Sequence, residues 1–422
     1  MFLVLDVNRK RTAFRFTLEK IGATSYMKRI TAVVALTLVL FSALTSVRAD
    51  EKQELESKIR EIGSQFAPDS RLELFNVVID EGKARVETTS ADAKNAVLAL
   101  AADFPQWEIV ALKFPEENPE LDGKWRAIVN YSTIQLQQGP DFATEWSTQS
   151  LMGTPVKILK KTPSYWILIQ NYDGYIGYTT KGSVHPLTED EFAKWRDAKR
   201  LIWLANFGSI YSEPSDDSAT ISDLVAGDVV VWKNEETQNG FYRVETPDGR
   251  LGWIPVKDSM EWSEWATSRE LTSENLISAA RRLLGHPYVW GGTSAKGVDC
   301  SGLVNFAFMF NGYNILRDVS QIRREGIDVD MSQGWKGYQP GDLLIFGQRR
   351  EGREWRWRHV GIYIGDGRFI HSATVVHENS LDPDSPDYDP GNAKELIKVV
   401  RMIGAPETEH YHPISKNAFF GM

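Results

Sequence analysis

A chain of 422 residues is longer than one hydrophobic core sustains, so roughly three or four domains are expected. With 42% hydrophobic and 25% charged residues the composition is that of a folded globular protein, and a net charge of -9 excludes a nucleic-acid binder, which needs a basic face. A single cysteine excludes an intrachain disulfide and leaves the redox compartment open.

Near the N-terminus, Met27-Lys28-Arg29 precedes an apolar run from Ile30 to Ala43, and Val47-Arg48-Ala49 offers a small-residue cleavage site before Asp50. A basic start, a short apolar core and that ending predict an export signal within residues 1–49, and hence a periplasmic or secreted protein. The run is shorter than the ~20 residues of a spanning helix, so no stable membrane anchor is expected. No cysteine flanks the cleavage site, which excludes a lipoprotein anchor. Residues 1–26 add Arg9, Lys10, Arg11 and Arg15 ahead of a signal already complete, so translation is expected to begin at Met27.

Residues 50–115 read as a small α+β module of no assigned function. Leu55, Ile59, Ile62 and Phe66 have helical spacing, 72–80, 84–89 and 107–112 are strand-like, and Ser90 or Asp92 caps a helix between the last two strands. An internal repeat follows. Leu151, Gly153, Val156, Ile158, Trp166, Asp173-Gly174 and Gly177-Tyr178 recur as Leu224, Gly227, Val229, Val231, Tyr242, Asp248-Gly249 and Gly252-Trp253. Asp-Gly between short alternating strands signals a hairpin. The pattern resembles two bacterial SH3-like barrels, over 122–187 and 200–258; such modules contact cell-wall peptide or act as spacers. Between them, Thr188-Glu189-Asp190-Glu191 is a capping box, which makes 188–199 a helical linker.

The last domain, 270–405, starts with a helix capped by Thr272 or Ser273 and stopped by Gly285 and Pro287. A second helix runs from Cys300 to about Phe310, and strands are expected at 342–346, 359–364, 369–373 and 397–403. Helices followed by strands make this α+β. His286 and His377 are expected in loops, and 406–422, with His410 and His412, is expected to be a flexible tail; no metal or other cofactor is implied.

Asp299 stands where an N-cap belongs, which puts the lone thiol of Cys300 in a first helical turn, where free N–H groups favour a thiolate. With a protonated histidine nearby, such placement lowers a thiol from about 8.5 to roughly 3.5–7.5. The same carboxylate is read as a cap or as a partner for a substrate ammonium. An oxyanion would find the N–H of Cys300, together with a group of Tyr288 or Ser301. A nucleophile needs a base and the base needs orienting. His359 and His371 lie on strands joined across Gly365-Asp366-Gly367. A two-residue loop would turn the two histidines to opposite faces, whereas a three-residue loop with left-handed Gly367 pairs Gly361 with His371 and puts His359, Gly361, Tyr363, Phe369 and His371 on one face. His359 is then the base and His371 its orienting neighbour.

The motifs Gly285-x-Pro287-Tyr288-x-Trp290-Gly291-Gly292, Asp299-Cys300-Ser301-Gly302-Leu303, Arg317-Asp318, Gly341-Asp342-Leu343-Leu344-Ile345-Phe346, His359-Val360-Gly361-Ile362-Tyr363 and Phe369-Ile370-His371-Ser372-Ala373 resemble the NlpC-type cysteine peptidases, papain-like enzymes that cut cell-wall peptides. The resemblance implies Cys300 as nucleophile, His359 as base and His371 as third polar residue. With paired SH3-like modules ahead of the catalytic domain, the chain is similar to the γ-D-glutamyl-L-diamino-acid endopeptidases, the dipeptidyl-peptidase VI group. That similarity implies cleavage of murein peptides with a free N-terminal L-alanine, with substrate contacts at Tyr288, Trp290, Asp299, Ser301 and Asp318, and at Glu145 and Tyr178 of the first barrel. The alternatives are an amidase or endopeptidase acting on intact wall and a catalytically silent wall-binding protein. A monomer is expected. Leu316 replaces the proline common before Arg-Asp, and the arginine- and tryptophan-rich loop 348–358 is either a solvated basic loop or a clamp on substrate carboxylates.

Overall fold

The computed structural model describes residues 25–80, 82–348 and 356–420. The expected leader ahead of Met27 therefore lies outside the described residues up to position 24, as does most of the basic loop, 349–355. A division after Glu61 separates two compact units. In the first, the described residues belong to one helix, Ser25–Phe66, which continues through the expected cleavage site to the end of the segment predicted helical. No helix among the described residues is long and apolar enough to cross a membrane.

From Ile62 onward the second unit begins with a three-stranded sheet, Phe75–Asp80, Lys83–Thr88 and Glu108–Lys113. Its first pair is antiparallel and its second parallel. A parallel pair needs a crossover, and the helix Ala91–Ala99 supplies it, with the Ser90 hydroxyl accepting from Ala93 N–H.

Two seven-stranded antiparallel sheets come next. In the first the neighbours run Val184–Leu187, Arg126–Val129, Pro155–Lys161, Trp166–Gln170, Ile176–Thr180, Thr133–Gln137, Trp146–Leu151. In the second they run Ser259–Glu261, Arg200–Trp203, Val229–Gln238, Phe241–Glu245, Leu251–Pro255, Phe207–Tyr211, Thr220–Val225. The strand order is identical once each strand is matched to its place in the repeat. The linking helix Glu189–Asp197 carries the capping box of Thr188 and Glu191.

The remaining segment packs two helices, α1 (Ser273–Arg281) and α2 (Cys300–Phe310), and a short α3 (Val319–Ile322) with a six-stranded antiparallel sheet. Its strands are Ile327–Asp328, β1 (Leu343–Gln348), β2 (Arg356–Gly365), β3 (Arg368–Ser372), β4 (Val376–Ser380) and β5 (Leu396–Arg401), in the order Ile327–Asp328, β5, β1, β2, β3, β4. Leu276, Ala280, Leu303, Val304 and Ala307 of the helices share one core with Leu343, Ile345, Val360, Ile362 and Ile370 of the sheet. That shared core presses the start of α2 against β2.

Three expectations change. The β2–β3 hairpin closes through a two-residue turn, Asp366 (φ 50°) and Gly367 (φ 74°), plus a bulge between Tyr363 and Gly365. The extra bulge residue restores the parity that a plain two-residue turn would have broken, so Tyr363 pairs with Phe369 as expected. His377 lies on β4 opposite His371 and not in a loop. The C-terminal segment is packed down: Tyr411, Ile414 and Phe420 are buried, Tyr411 donates to the carbonyl of Met402, and Phe420 stacks on Trp262.

Candidate active site

The nucleophile turn is built by a close backbone approach. A Cβ on Gly302 would lie 1.9 Å from the carbonyl oxygen of Gly292, so only glycine lets the first turn of α2 sit on the Gly291-Gly292 loop. Asp299 caps that turn, accepting from Gly302 N–H at 2.7 Å through Oδ1 and from Gly291 N–H at 2.9 Å through Oδ2. Of its two expected roles, the structure realises the cap. The carboxylate faces a protein cation, because Arg317 Nη1 and Nη2 reach its two oxygens at 3.1 and 2.6 Å.

Arg317 is 1% exposed and was read from the sequence only as part of a motif. Its Nη1 also donates to Ser301 Oγ at 2.7 Å, and its Nε donates to Thr148 Oγ1 of the first seven-stranded sheet at 3.0 Å. One buried guanidinium thus ties that sheet to the residues on both sides of Cys300. Planar, five-donor geometry suits arginine to such a node.

Burial, reinforced by the Asp299 charge and opposed by Arg317, pushes the Cys300 thiol up to about 12. This corrects the expectation of a lowered thiol: the helix start favours the anion, but the site is dry, and desolvation outweighs it. The Tyr288 phenol is raised as well, by burial and then by the charges of Cys300 and Asp299.

Facing α2, the histidines of β2 and β3 are joined as the strand parity requires. His359 Nε2 lies 2.7 Å from His371 Nδ1, and His371 Nε2 lies 2.8 Å from Asn379 Oδ1 on β4. Burial and the neighbouring His371 push His359 down to about 3, and burial pushes His371 down to about 4 against the opposing bond to Asn379. Both rings are therefore neutral near pH 7, and their protons can be assigned. Asn379 Nδ2 donates to the carbonyl of Asp387 at 3.3 Å, which leaves Oδ1 as an acceptor toward His371. His371 must then carry its proton on Nε2 and accept through Nδ1, so His359 donates from Nε2. The Nδ1 lone pair of His359 is left free to take a proton. Asn379 escaped the sequence reading because Val376-His377-Glu378-Asn379-Ser380 shows no apolar alternation.

The other candidates separate into two groups. Asp299 and Ser301 flank Cys300 in the chain, Tyr288 bridges to Val298 two residues before it, and Trp290 of the same loop is 60% exposed. Trp146 of the first sheet abuts this loop, its carbonyl 3.0 Å from where a Cβ of Gly291 would be. Asp318 lies one residue beyond Arg317 and receives Arg71 Nη1 at 2.8 Å and the Tyr175 hydroxyl at 3.2 Å, both on Oδ2. Glu145 is exposed and accepts from Gln138, and Tyr178 sits opposite Gln137 in the first sheet. Among the described residues no hydrogen bond joins Glu145 or Tyr178 to the Cys300 loop. Also among the described residues, no group of three or more His, Cys, Asp or Glu side chains has metal-binding geometry.

A thiol at a capped helix start, packed on a sheet that presents a hydrogen-bonded imidazole pair, is an arrangement suited to a cysteine peptidase. Residues 285–389 match the NlpC/P60 family, and residues 136–182 match the bacterial dipeptidyl-peptidase SH3 domain. The chain thus carries an NlpC/P60 cysteine peptidase domain with an SH3 domain ahead of it. It is similar to dipeptidyl-peptidase 6 of Lysinibacillus sphaericus, 27% identical over 66% of this chain and 98% of that protein. A γ-D-glutamyl-L-lysine dipeptidyl-peptidase of Bacillus cereus is 24% identical over 86% of this chain and 96% of its own length. An NlpC/P60 family crystal structure from Bacillus cereus shares the fold, with a TM-score of 0.55 and 23% identity over 65% of this chain and 99% of that one.

Proposed function

We propose that this protein is exported and hydrolyses the bond between D-glutamate, through its γ-carboxyl, and the L-diamino acid of murein peptides whose N-terminal L-alanine is free. Cys300 is the nucleophile, His359 the base and His371 the residue that orients it, itself held by Asn379. The observation that carries this reading is the His359–His371–Asn379 relay, which fixes the tautomer of the base on the sheet against which Cys300 packs.

Thiol and imidazole rest neutral, so proton transfer accompanies attack: the Cys300 proton passes to His359 Nδ1 as sulfur bonds to the γ-carbonyl carbon. The oxyanion meets the N–H of Cys300 and the Tyr288 hydroxyl. His359 then gives its proton to the departing amine of the diamino acid, leaving a thioester. Water, deprotonated by His359, cleaves the thioester to release L-Ala-γ-D-Glu and restore the thiol. Relatives named γ-D-glutamyl-L-lysine dipeptidyl-peptidase support the choice of substrate. The two seven-stranded sheets, over 126–187 and 200–261, serve as SH3-like modules, the first forming a wall of the site.

The test is incubation of the mature protein with L-Ala-γ-D-Glu-L-Lys and its N-acetylated form, with products read by mass. Release of L-Ala-γ-D-Glu from the free peptide, abolished in Cys300→Ala and His359→Ala, is expected; activity retained in either variant refutes the assignment. Equal cleavage of the acetylated peptide refutes the requirement for a free amine.

A further inference from the structure

The N-terminal module, to which the sequence assigns no role, reaches the wall of this site. Arg71 Nη1 donates to Asp318 Oδ2 and to Ser320 Oγ, each at 2.8 Å, and Gln321 Nε2 donates to Asp69 Oδ2 at 2.9 Å. Segment 69–71 thereby grips the first turn of α3. The same arginine is clasped by its neighbour, with Nε on Asp69 Oδ1 at 2.8 Å and Nη2 on Asp69 Oδ2 at 2.6 Å. Burial works against the charge of Asp69, but Arg71 and Gln321 outweigh it and hold that carboxyl at about 2.

The charges around the nucleophile can then be balanced. Arg317 and Asp299 cancel as a buried pair, and Arg71 is met bidentately by Asp69. Asp318, 28% of its side chain exposed, shares Arg71 with Asp69, so the three groups carry one net negative charge. Without Asp69, Arg71 would neutralise it.

We propose that Asp69 and Arg71 determine specificity for the free α-ammonium: Asp69 takes up the charge of Arg71, so Arg71 holds Asp318 in place without neutralising it, and the N-terminal module sets the charge that the substrate's ammonium meets. The proposal rests on the free-amine reading above. It makes Asp69 and Arg71 positioning residues that act through Asp318.

Charge reversal in steps tests it, with full-length protein and the free and acetylated tripeptides. Asp69→Asn takes the group from one net negative charge to none, and KM for the free peptide is expected to rise about tenfold with kcat within twofold, as befits a lost ion pair in a partly screened site. Adding Arg71→Met to that variant removes the cation and restores one negative charge, so KM is expected to recover to within about threefold of the parent. A purely structural role predicts the opposite, a double variant at least as impaired as the single one. An unchanged KM in Asp69→Asn, or a double variant no better than it, overturns the proposal. A parent enzyme that cleaves both peptides equally overturns the free-amine reading and this inference with it, whereas a parent selective for the free peptide confines any failure to Asp69 and Arg71. The unchanged kcat, with a matching circular dichroism spectrum, separates these outcomes from misfolding.

Discussion

The two seven-stranded sheets share a strand order and differ in what their edges touch. The first sends Thr148 to Arg317, lets Gln149 Oε1 accept from Thr293 N–H and Ser294 Oγ at 2.9 Å each, lays Trp146 on Gly291 and directs Tyr175 to Asp318. The second touches the peptidase domain through Asn206 Nδ2 on the carbonyl of Arg282, the ion pair of Asp223 with Lys296, and Ala226, which joins the apolar core that holds Cys300. Asp228 of the second sheet spends both carboxylate oxygens on backbone N–H groups, those of Met152 in the first sheet and Val225. One topology therefore sends hydrogen bonds to Arg317 and Asp318 in one copy and packs against the helices and the Lys296 turn in the other. Side chains on the Trp146–Leu151 edge strand make the difference, which agrees with the rule that function resides in sites grafted onto folds.

The sharpest way to break this contrast is Arg317→Met. It leaves Asp299 buried without its cation, and a loss of about 3–5 kcal/mol in denaturant unfolding is expected, with near-complete loss of peptidase activity. A stable, active variant would remove the node from which the first sheet acts.

Acid should destabilise the peptidase sheet, which holds the His359–His371 pair. His371 binds its proton at about 4 in the fold, against 6.5 unfolded. Its neutral form therefore stabilises the fold fully above pH 6.5, and that contribution, on the order of 3 kcal/mol, is lost as pH falls from 6.5 toward 4. Asp173 of the first sheet, raised by burial to about 6, titrates in the opposite sense. Protonated in the fold, it favours the native state most at low pH, so Asp173→Asn should steepen the acid loss seen by thermal melting between pH 7 and 4.

Smaller effects separate the two sheets directly. Thr148→Val removes one acceptor from Arg317, and about 1 kcal/mol and a several-fold drop in kcat/KM are expected. Asp223→Ala in the second sheet breaks an exposed ion pair, for which under about 1 kcal/mol and unchanged kinetics are expected. Equal kinetic effects from the two substitutions would erase the distinction.

Much of this was legible before any coordinates. Asp299 ahead of Cys300 announced a capped helix, the spaced glycines and Asp-Gly pairs exposed the repeat, and strand parity put His359 and His371 on one face. What stayed hidden is long-range. Arg317 lies 169 positions from Thr148, and no local pattern marks a guanidinium that will be buried between domains. Burial of the thiol depends on how the first sheet and the Gly291-Gly292 loop close around it, so helix position alone gave the wrong direction. Asn379 sits on a strand too polar to be read as one. The C-terminal segment looked free because Tyr411, Ile414 and Phe420 are too widely spaced to form a periodic face, yet Tyr411 joins the peptidase core and Ile414 and Phe420 a second cluster around Trp262 and Trp265.

The burial of Cys300 also makes the protein its own reporter. It is the chain's only sulfhydryl and is 7% exposed, so no second site contributes to the reaction of a bulky maleimide. The rate of labelling then clocks the local opening that exposes Cys300, and the protection a bound peptide gives measures how long that peptide stays.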